Sequence, residues 1–220
     1  MNLDNIQELW KQHEASLEAN RMLNLSLLKE VKIDKAKSTL SNLLFVPVST
    51  LVFFIFALSY CLYFSFNNWG IWYFAATGLC LAVFSTLFIW SSMNQLKLIL
   101  EVDYNASVVK LQRDISQVKS AILTNLRIAV WMIPFSPLMM IFFSKVLFNF
   151  DMVNALSTNM LYMYAVMSLL LLVVAFFASK SIAKDKVSSK WVNWLLQGSG
   201  SQVDEALGFI NQIQEFEKEE

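Results

Sequence analysis

Histidine, cysteine, proline, glycine and charge are all scarce in this chain: one His, two Cys, three Pro and five Gly occur in 220 residues, and 15% of the residues are charged. Each scarcity excludes something. His13 stands alone, with no cysteine or carboxylate cluster at ligand spacing, so no metal site is expected and the residue reads as a histidine in a helix seam that hydrogen-bonds locally. Cys61 and Cys80 fall inside long apolar runs, away from any oxidising aqueous neighbourhood, and read as small packing residues. No nucleophile sits with a base, and no carboxylates pair at a useful spacing. The expectation is therefore no enzyme, no catalytic residue and no cofactor.

The charge that is present avoids four apolar runs, roughly 43–66, 71–94, 127–150 and 160–179. Each has the twenty or so residues that a helix needs to cross hydrocarbon. Barrel strands would be shorter and would alternate polar with apolar residues, so the fold class expected is all-α, a four-helix transmembrane bundle with cytoplasmic helical extensions. Hydrophobic residues make up 56% of the chain, which leaves no room for a separate soluble domain of ordinary size. The organisation expected is a cytoplasmic amphipathic helix at 1–42, a transmembrane hairpin at 43–94, a cytoplasmic helical hairpin at 95–126, a second transmembrane hairpin at 127–179, and juxtamembrane and C-terminal helices at 180–220. About forty polar or amphipathic residues precede the first run, so no cleavable leader is expected.

Of the seventeen basic residues, Lys145 alone, near the far end of the third run, falls on the side of the two short loops; the others lie before the first run, from the end of the second run to the start of the third, or after the fourth. The positive-inside rule then places both termini and the central loop in the cytoplasm. The opposite loops are short. Asn67-Asn68-Trp69-Gly70 is a turn flanked by Tyr60, Tyr63, Trp72 and Tyr73, whose rings suit an interfacial belt, and 151–159 is too short for a receptor or catalytic domain. The sequons at Asn24 and Asn105 fall on the cytoplasmic side, where they are chance matches.

Arg127 and Lys145 lie at opposite ends of the third run and can snorkel to the headgroups. Pro134 and Pro137 should kink or unwind that run. Gly78 with Ala82, and Ala76 with Cys80, give the second run small faces for close helix contact.

Outside the runs, helical stripes dominate. Between Asp4 and Val31 the residues Trp10, Leu17 and their apolar neighbours share a face that His13, Asn20 and Asn24 interrupt. In the central loop Val108, Leu111, Ile115, Val118 and Ile122 form an uninterrupted stripe, and Asp103, Asn105 or Ser107 can cap its helix. The candidate interaction seam is Trp10, His13, Leu17, Asn20, Asn24, Leu111, Ile115 and Val118, with the N-terminal helix expected to pack on the central hairpin. Further on, Val187, Trp191, Trp194 and Leu195 suit a helix on the membrane surface, Gly198-Ser199-Gly200-Ser201 reads as a flexible break, and Val203, Ala206, Leu207, Ile210 and Ile213 read as a last amphipathic helix. Similar approaches to the first and third runs, at 37–43 and 119–126, also fit two related halves lying parallel to one another.

The pattern Leu9-Trp10, then Leu23-Asn24-Leu25 to Leu28-Lys29-Glu30-Val31, then Lys35-Ala36-Lys37-Ser38 to Leu43 before four runs, resembles an uncharacterised family of small bacterial four-span membrane proteins, often encoded near alternative sigma factors. The resemblance implies no known activity, and it implies that the cytoplasmic helices hold a transcription regulator. The chain departs from many membrane-bound anti-sigma factors in having no zinc-ligand cluster of Cys and His.

The function expected is an anchored interaction or regulatory module working through its cytoplasmic helices. The alternatives are a channel or transporter, alone or as an oligomer, and then an integral membrane enzyme. The partners expected are the lipid bilayer and a cytoplasmic protein or a second copy of the chain, without nucleic acid. Reporter fusions within 101–107 and after Leu195 are expected to report cytoplasm, and fusions at Asn68 and Asn154 the opposite side. A central-loop fusion active outside the cytoplasm would overturn this topology.

Overall fold

The computed structural model describes residues 3–183 and 199–218, and among these every regular element is helical. In chain order they are α1 (Leu3–Leu43), α2 (Phe45–Asn67), α3 (Trp72–Leu100), α4 (Val108–Met132), a 3-10 turn (Ile133–Phe135), α5 (Ser136–Phe148), the single-turn α6 (Met152–Ala155), α7 (Thr158–Ala183) and α8 (Ser199–Lys218). Four helical stretches are long and apolar enough to cross a membrane: α2 continuing from α1, α3, α4 through α5, and α7. The chain is thus an all-α four-helix transmembrane bundle with helical extensions, an integral membrane protein by the length and composition of its helices. The 68–71 turn and the 149–157 loop lie at one end of the bundle. The outer part of α1, the loop after α3, the start of α4 and α8 lie at the other, the basic end.

Lipid supplies no hydrogen bonds to a backbone, so each departure from helical pairing has a local cause. The first is at Leu44, which keeps helical dihedrals between α1 and α2. Pro47 has no N–H for the Leu43 carbonyl and its ring crowds that carbonyl, and Leu44 N instead bonds Ser41 O at 3.1 Å. The two helices continue as nearly one rod with a joint. The second departure is the 3-10 turn, which holds Pro134, while Pro137 falls in the first turn of α5, so the third run is interrupted as the sequence suggests. Ser168 on α7 donates its hydroxyl to Pro134 O at 2.6 Å, serving a carbonyl that the broken ladder leaves over.

α3 is the central span. More than half of its most apolar segment is buried inside the protein, whereas α7 is almost entirely bare along its own. Against lipid such exposure costs nothing, because hydrocarbon is as apolar as the side chains facing it. Between α2 and α3 the packing is close. Ser65 donates to Cys61 O on its own helix and to Ala75 O on α3, at 3.0 and 3.2 Å. Gly78 lies so near that a Cβ there would strike Ser65 Oγ and come within 3.0 Å of Cys61 O. Of the two small faces anticipated in α3, Gly78 with Ala82 is buried, while Ala76 is exposed and Cys80 half-buried. Towards the loop end the core is aromatic: Phe64 meets Phe142 edge-on at 4.8 Å between centroids and Phe74 at 6.0 Å. In the second hairpin α7 packs on α4 and on the 3-10 turn and hardly touches α5, so the two hairpins differ in packing.

At the loop end Asp151 caps α6 through Asn154 N and accepts from Tyr73 Oη at 2.5 Å, which fastens the second loop to the start of α3. Partial burial raises the Asp151 carboxyl, but the bonds from Tyr73, Asn154 and Val153 outweigh it and leave the group below its ordinary value. Asn149 closes α5 in the left-handed region at φ 49, and its side chain accepts from Lys145 Nζ at 2.7 Å. Lys145 is thus held at the headgroup level of that end. Tyr60, Tyr63, Trp69 and Trp72 point outward around it.

Gly78→Ala is expected to lower the stability of the detergent-solubilised protein by about 1–3 kcal/mol, the usual cost of overpacking. Adding Ser65→Ala should recover part of that loss by removing the oxygen the new methyl strikes. Thermal unfolding of the single and double variants checks this; an unchanged midpoint for Gly78→Ala would mean that the helices do not approach this closely.

Candidate interaction surface

At the basic end the helices leave lipid for water, and there burial of apolar side chains becomes a driving force. α8 supplies it. Val203, Ala206, Ile210 and Ile213 recur at three and four residues, so they share one face of the helix, and all are buried to 1% exposure or less. They pack with Leu111, Ile115, Val118 and Ile122 of α4, with Ile99 near the end of α3, and with Ala36, Leu40 and Leu43 of α1. Polar ties fix the register of α8 on α4: Lys119 pairs with Asp204 at 2.5 Å, and Gln112 Nε2 donates to Asn211 Oδ1 at 3.0 Å. As the α4 number rises by seven the α8 number falls by seven, so these helices run antiparallel and α8 points away from the membrane.

Two features bind this water-side core to the spans. Gln95, almost wholly buried on α3, accepts from Asn125 Nδ2 at 2.8 Å, joining α3 to α4. Arg127 donates to Ile182 O at 3.5 Å beside the last residues of α7, and Trp131 Nε1 donates to Ser179 Oγ at 3.3 Å. Arg127 and Trp131 therefore tie α4 to α7. Between α3 and α4, Asn105 N bonds the Asp103 side chain, a local turn that precedes α4, whose cap residue Ser107 makes no side-chain bond.

The sequence-derived seam is divided by the structure. Leu111, Ile115 and Val118 are fully buried core. Trp10, His13, Leu17, Asn20 and Asn24 are all exposed on α1, with Trp10 at 73% and Leu17 at 60%. The expected packing of the N-terminal stripe on the central hairpin is thus replaced by packing of α8 on that hairpin. The physical reason lies in the competing faces. α8 offers four apolar residues without a polar break, and the small Ala206 admits close approach; the N-terminal face would have to desolvate an imidazole and two amides to bury its apolar members.

α1 consequently has two faces with different fates. The stripe through Ala36, Leu40 and Leu43 is covered, and Lys32 and Lys35 lie over the Phe209 ring of α8 at 5.4 and 5.9 Å. The stripe ending at Val31 is bare. At roughly 100° per residue, Val31 and Ala36 are about 140° apart around the helix, so occupation of one face leaves the other free. Sequence reasoning found the stripe ending at Val31 but missed the one through Ala36, Leu40 and Leu43, the joint at Pro47 and the partner of α8. Ser199 to Ser201, expected in a flexible break, form the first turn of α8, while Gly198 and the segment with Val187, Trp191, Trp194 and Leu195 lie outside the described residues.

Among the described residues no group of three or more His, Cys, Asp or Glu is placed to hold a metal. An apolar pocket of about 40 Å³ lies between α5, α6 and α7, lined by Pro137, Met140, Met152, Leu161 and Tyr164 among others. Comparison with protein-family models, with characterised proteins and with solved structures gives no match.

Charge introduced at the two faces should act oppositely. Ile210→Asp is expected to destabilise the water-side core by at least the roughly 2–5 kcal/mol of losing a buried side chain, with the cost of desolvating a carboxylate added. Trp10→Asp with Leu17→Asp should change the stability of the single chain's own water-side core by no more than about 0.5 kcal/mol per site, as at ordinary surface positions, since neither side chain is buried within its own chain. Chemical denaturation of the purified variants distinguishes the two; equal destabilisation would show that the N-terminal face is buried after all.

Proposed function

We propose that the chain is a membrane-anchored interaction module: the four spans and the water-side core form a base from which α1 projects as an arm that takes up a helical partner. The observation that carries this reading is the exposure of Trp10 and Leu17 on the outer part of a helix whose inner part is completely buried at Ala36 and Leu40. An apolar stripe in water with no cover of its own is a recognition surface for the apolar face of another helix. The basic end is read as cytoplasmic from the distribution of Lys and Arg about the spans, and the membrane as a bacterial inner membrane from the resemblance to small bacterial four-span proteins. The short loops at the other end, tied down by Asp151 and Tyr73, suit a closed outer surface.

The competing transport reading draws on the 3-10 turn in the third span, since interrupted helices line many transporter sites. The setting of this turn favours a packing role. Phe135 packs edge-on against Phe84 at 5.0 Å, and the Pro134 carbonyl is occupied by Ser168.

Extraction in mild detergent should retain a helical partner, either another protein or a further copy, on the native chain and lose it on Trp10→Asp with Leu17→Asp, while changes at Pro134 or Pro137 leave binding intact. Solute or ion flux in reconstituted vesicles that is lost on changing Pro134 or Pro137, and unaffected by removal of residues 1–19, would overturn the interaction reading in favour of transport.

A further inference from the structure

We infer that the partner of the exposed face of α1 is a second copy of the same chain, and that the two arms pair as a parallel, in-register two-stranded coiled coil over residues 10–31. This rests on the reading of α1 as an interaction arm and names its occupant. The first argument is the period. Trp10, His13, Leu17, Asn20, Asn24, Leu27 and Val31 are separated by 3, 4, 3, 4, 3 and 4 residues, a strict 3.5-residue repeat. A surface stripe that served one straight helix would drift at 3.6, and a heptad held over three repeats is the pattern of a supercoiled seam. Trp10, Leu17, Leu27 and Val31 are at least half exposed along this line. The next two heptad positions are Asp34 and Ser38, so the seam stops where α1 turns its other face to α8.

The second argument is the bilayer. Two copies inserted the same way up carry their arms in the same direction, and each arm is joined to its first span through the same short joint at Leu44. Pairing across a twofold axis normal to the membrane is therefore parallel and starts in register. Asn24 then meets Asn24 of the other copy at an a position, where an amide pair satisfies itself and selects a two-stranded, in-register pairing over slipped ones. His13 and Asn20 meet their own equivalents at d positions. Their polarity weakens the seam, which accounts for an arm that is not buried within its own chain.

The third argument is the flanks. In a parallel pair a g residue faces the e residue five positions further along the partner. Glu30 in this register faces Lys35, an opposite pair, and both are exposed. One heptad earlier the corresponding residues are Leu23 and Leu28, which widen the apolar contact, and before that Ser16 faces Arg21. No like charges meet at these positions, so the flanks favour self-pairing.

The test is disulfide cross-linking of the full chain in native membranes, with Cys61→Ala and Cys80→Ala to remove the native thiols. Leu17→Cys lies on the seam; Ala15→Cys lies on the far side of the helix and is the control. Mild oxidation is expected to link two copies through Leu17→Cys and not through Ala15→Cys. Adding Asn24→Leu to the seam variant should keep the link while moving the protein towards larger or mixed assemblies in size-exclusion chromatography. Equal linking at both positions, or none at either, would overturn self-pairing. If no link forms but Trp10→Asp with Leu17→Asp still releases a different protein in the detergent experiment, the arm binds another chain and the module reading stands. If that double variant also changes no association, both readings fall.

Discussion

Four side chains on α8 join the two membrane hairpins from outside the bilayer, and the arrangement of the water-exposed helices depends on their burial. Within hydrocarbon there is no hydrophobic drive between helices, so the spans meet by close contact and by single polar ties. Ser65 with Gly78 is the first kind, and Ser168 on Pro134 O and Asn125 on Gln95 are the second. Water changes the balance. Val203, Ala206, Ile210 and Ile213 are buried at once against α1, which leads into the first hairpin, and α4, which leads into the second. Each larger side chain contributes roughly 1.5–3 kcal/mol on transfer from water. The same burial thus couples, from the water side, two hairpins that inside the membrane meet through α3 and through Phe64 and Tyr60 of α2 on Phe142 of α5.

That coupling also decides what remains outside. α1 is 41 residues long, about 60 Å at 1.5 Å per residue, and α8 with 20 residues covers about half of that length. The covered half is the one nearest the membrane. Beyond it the chain continues as helix with polar residues on its seam, where isolated helical stability is marginal and a partner adds order as well as contact. The division of α1 into a covered and an uncovered face therefore follows from the length and position of a helix at the other end of the chain.

The spans were legible because the bilayer imposes a length and excludes charge, requirements that act residue by residue: the apolar runs at 71–94 and 160–179 lie within α3 and α7. The start of α4 after Ser107 and the interruption at Pro134 were legible for similarly local reasons. The pairing of soluble faces was not. A stripe such as Leu111, Ile115 and Val118 declares that it will be buried, but the choice of cover depends on which of two distant stripes is the cheaper to desolvate. Ile210 and Ala206 win over Leu17 and Asn20 by a difference that neither segment displays alone. Ser199 to Ser201 mislead in the same way: their composition favours a break, while the burial of Val203 and Ala206 just beyond them extends the helix back through them.

The joint at Leu44 has a mechanical meaning. α1 runs into α2 through Leu44, which keeps helical dihedrals, and the place where a backbone bond is missing is the place where a helix twists most readily. Winding the outer arm alters its angle about its own axis, and that rotation travels down the helix to Leu43, where the core holds the shaft on one side, and to Pro47, where the ladder yields. The torsional compliance of one turn thus sets how much of a motion in the water reaches Phe64 and Gly78 inside the membrane.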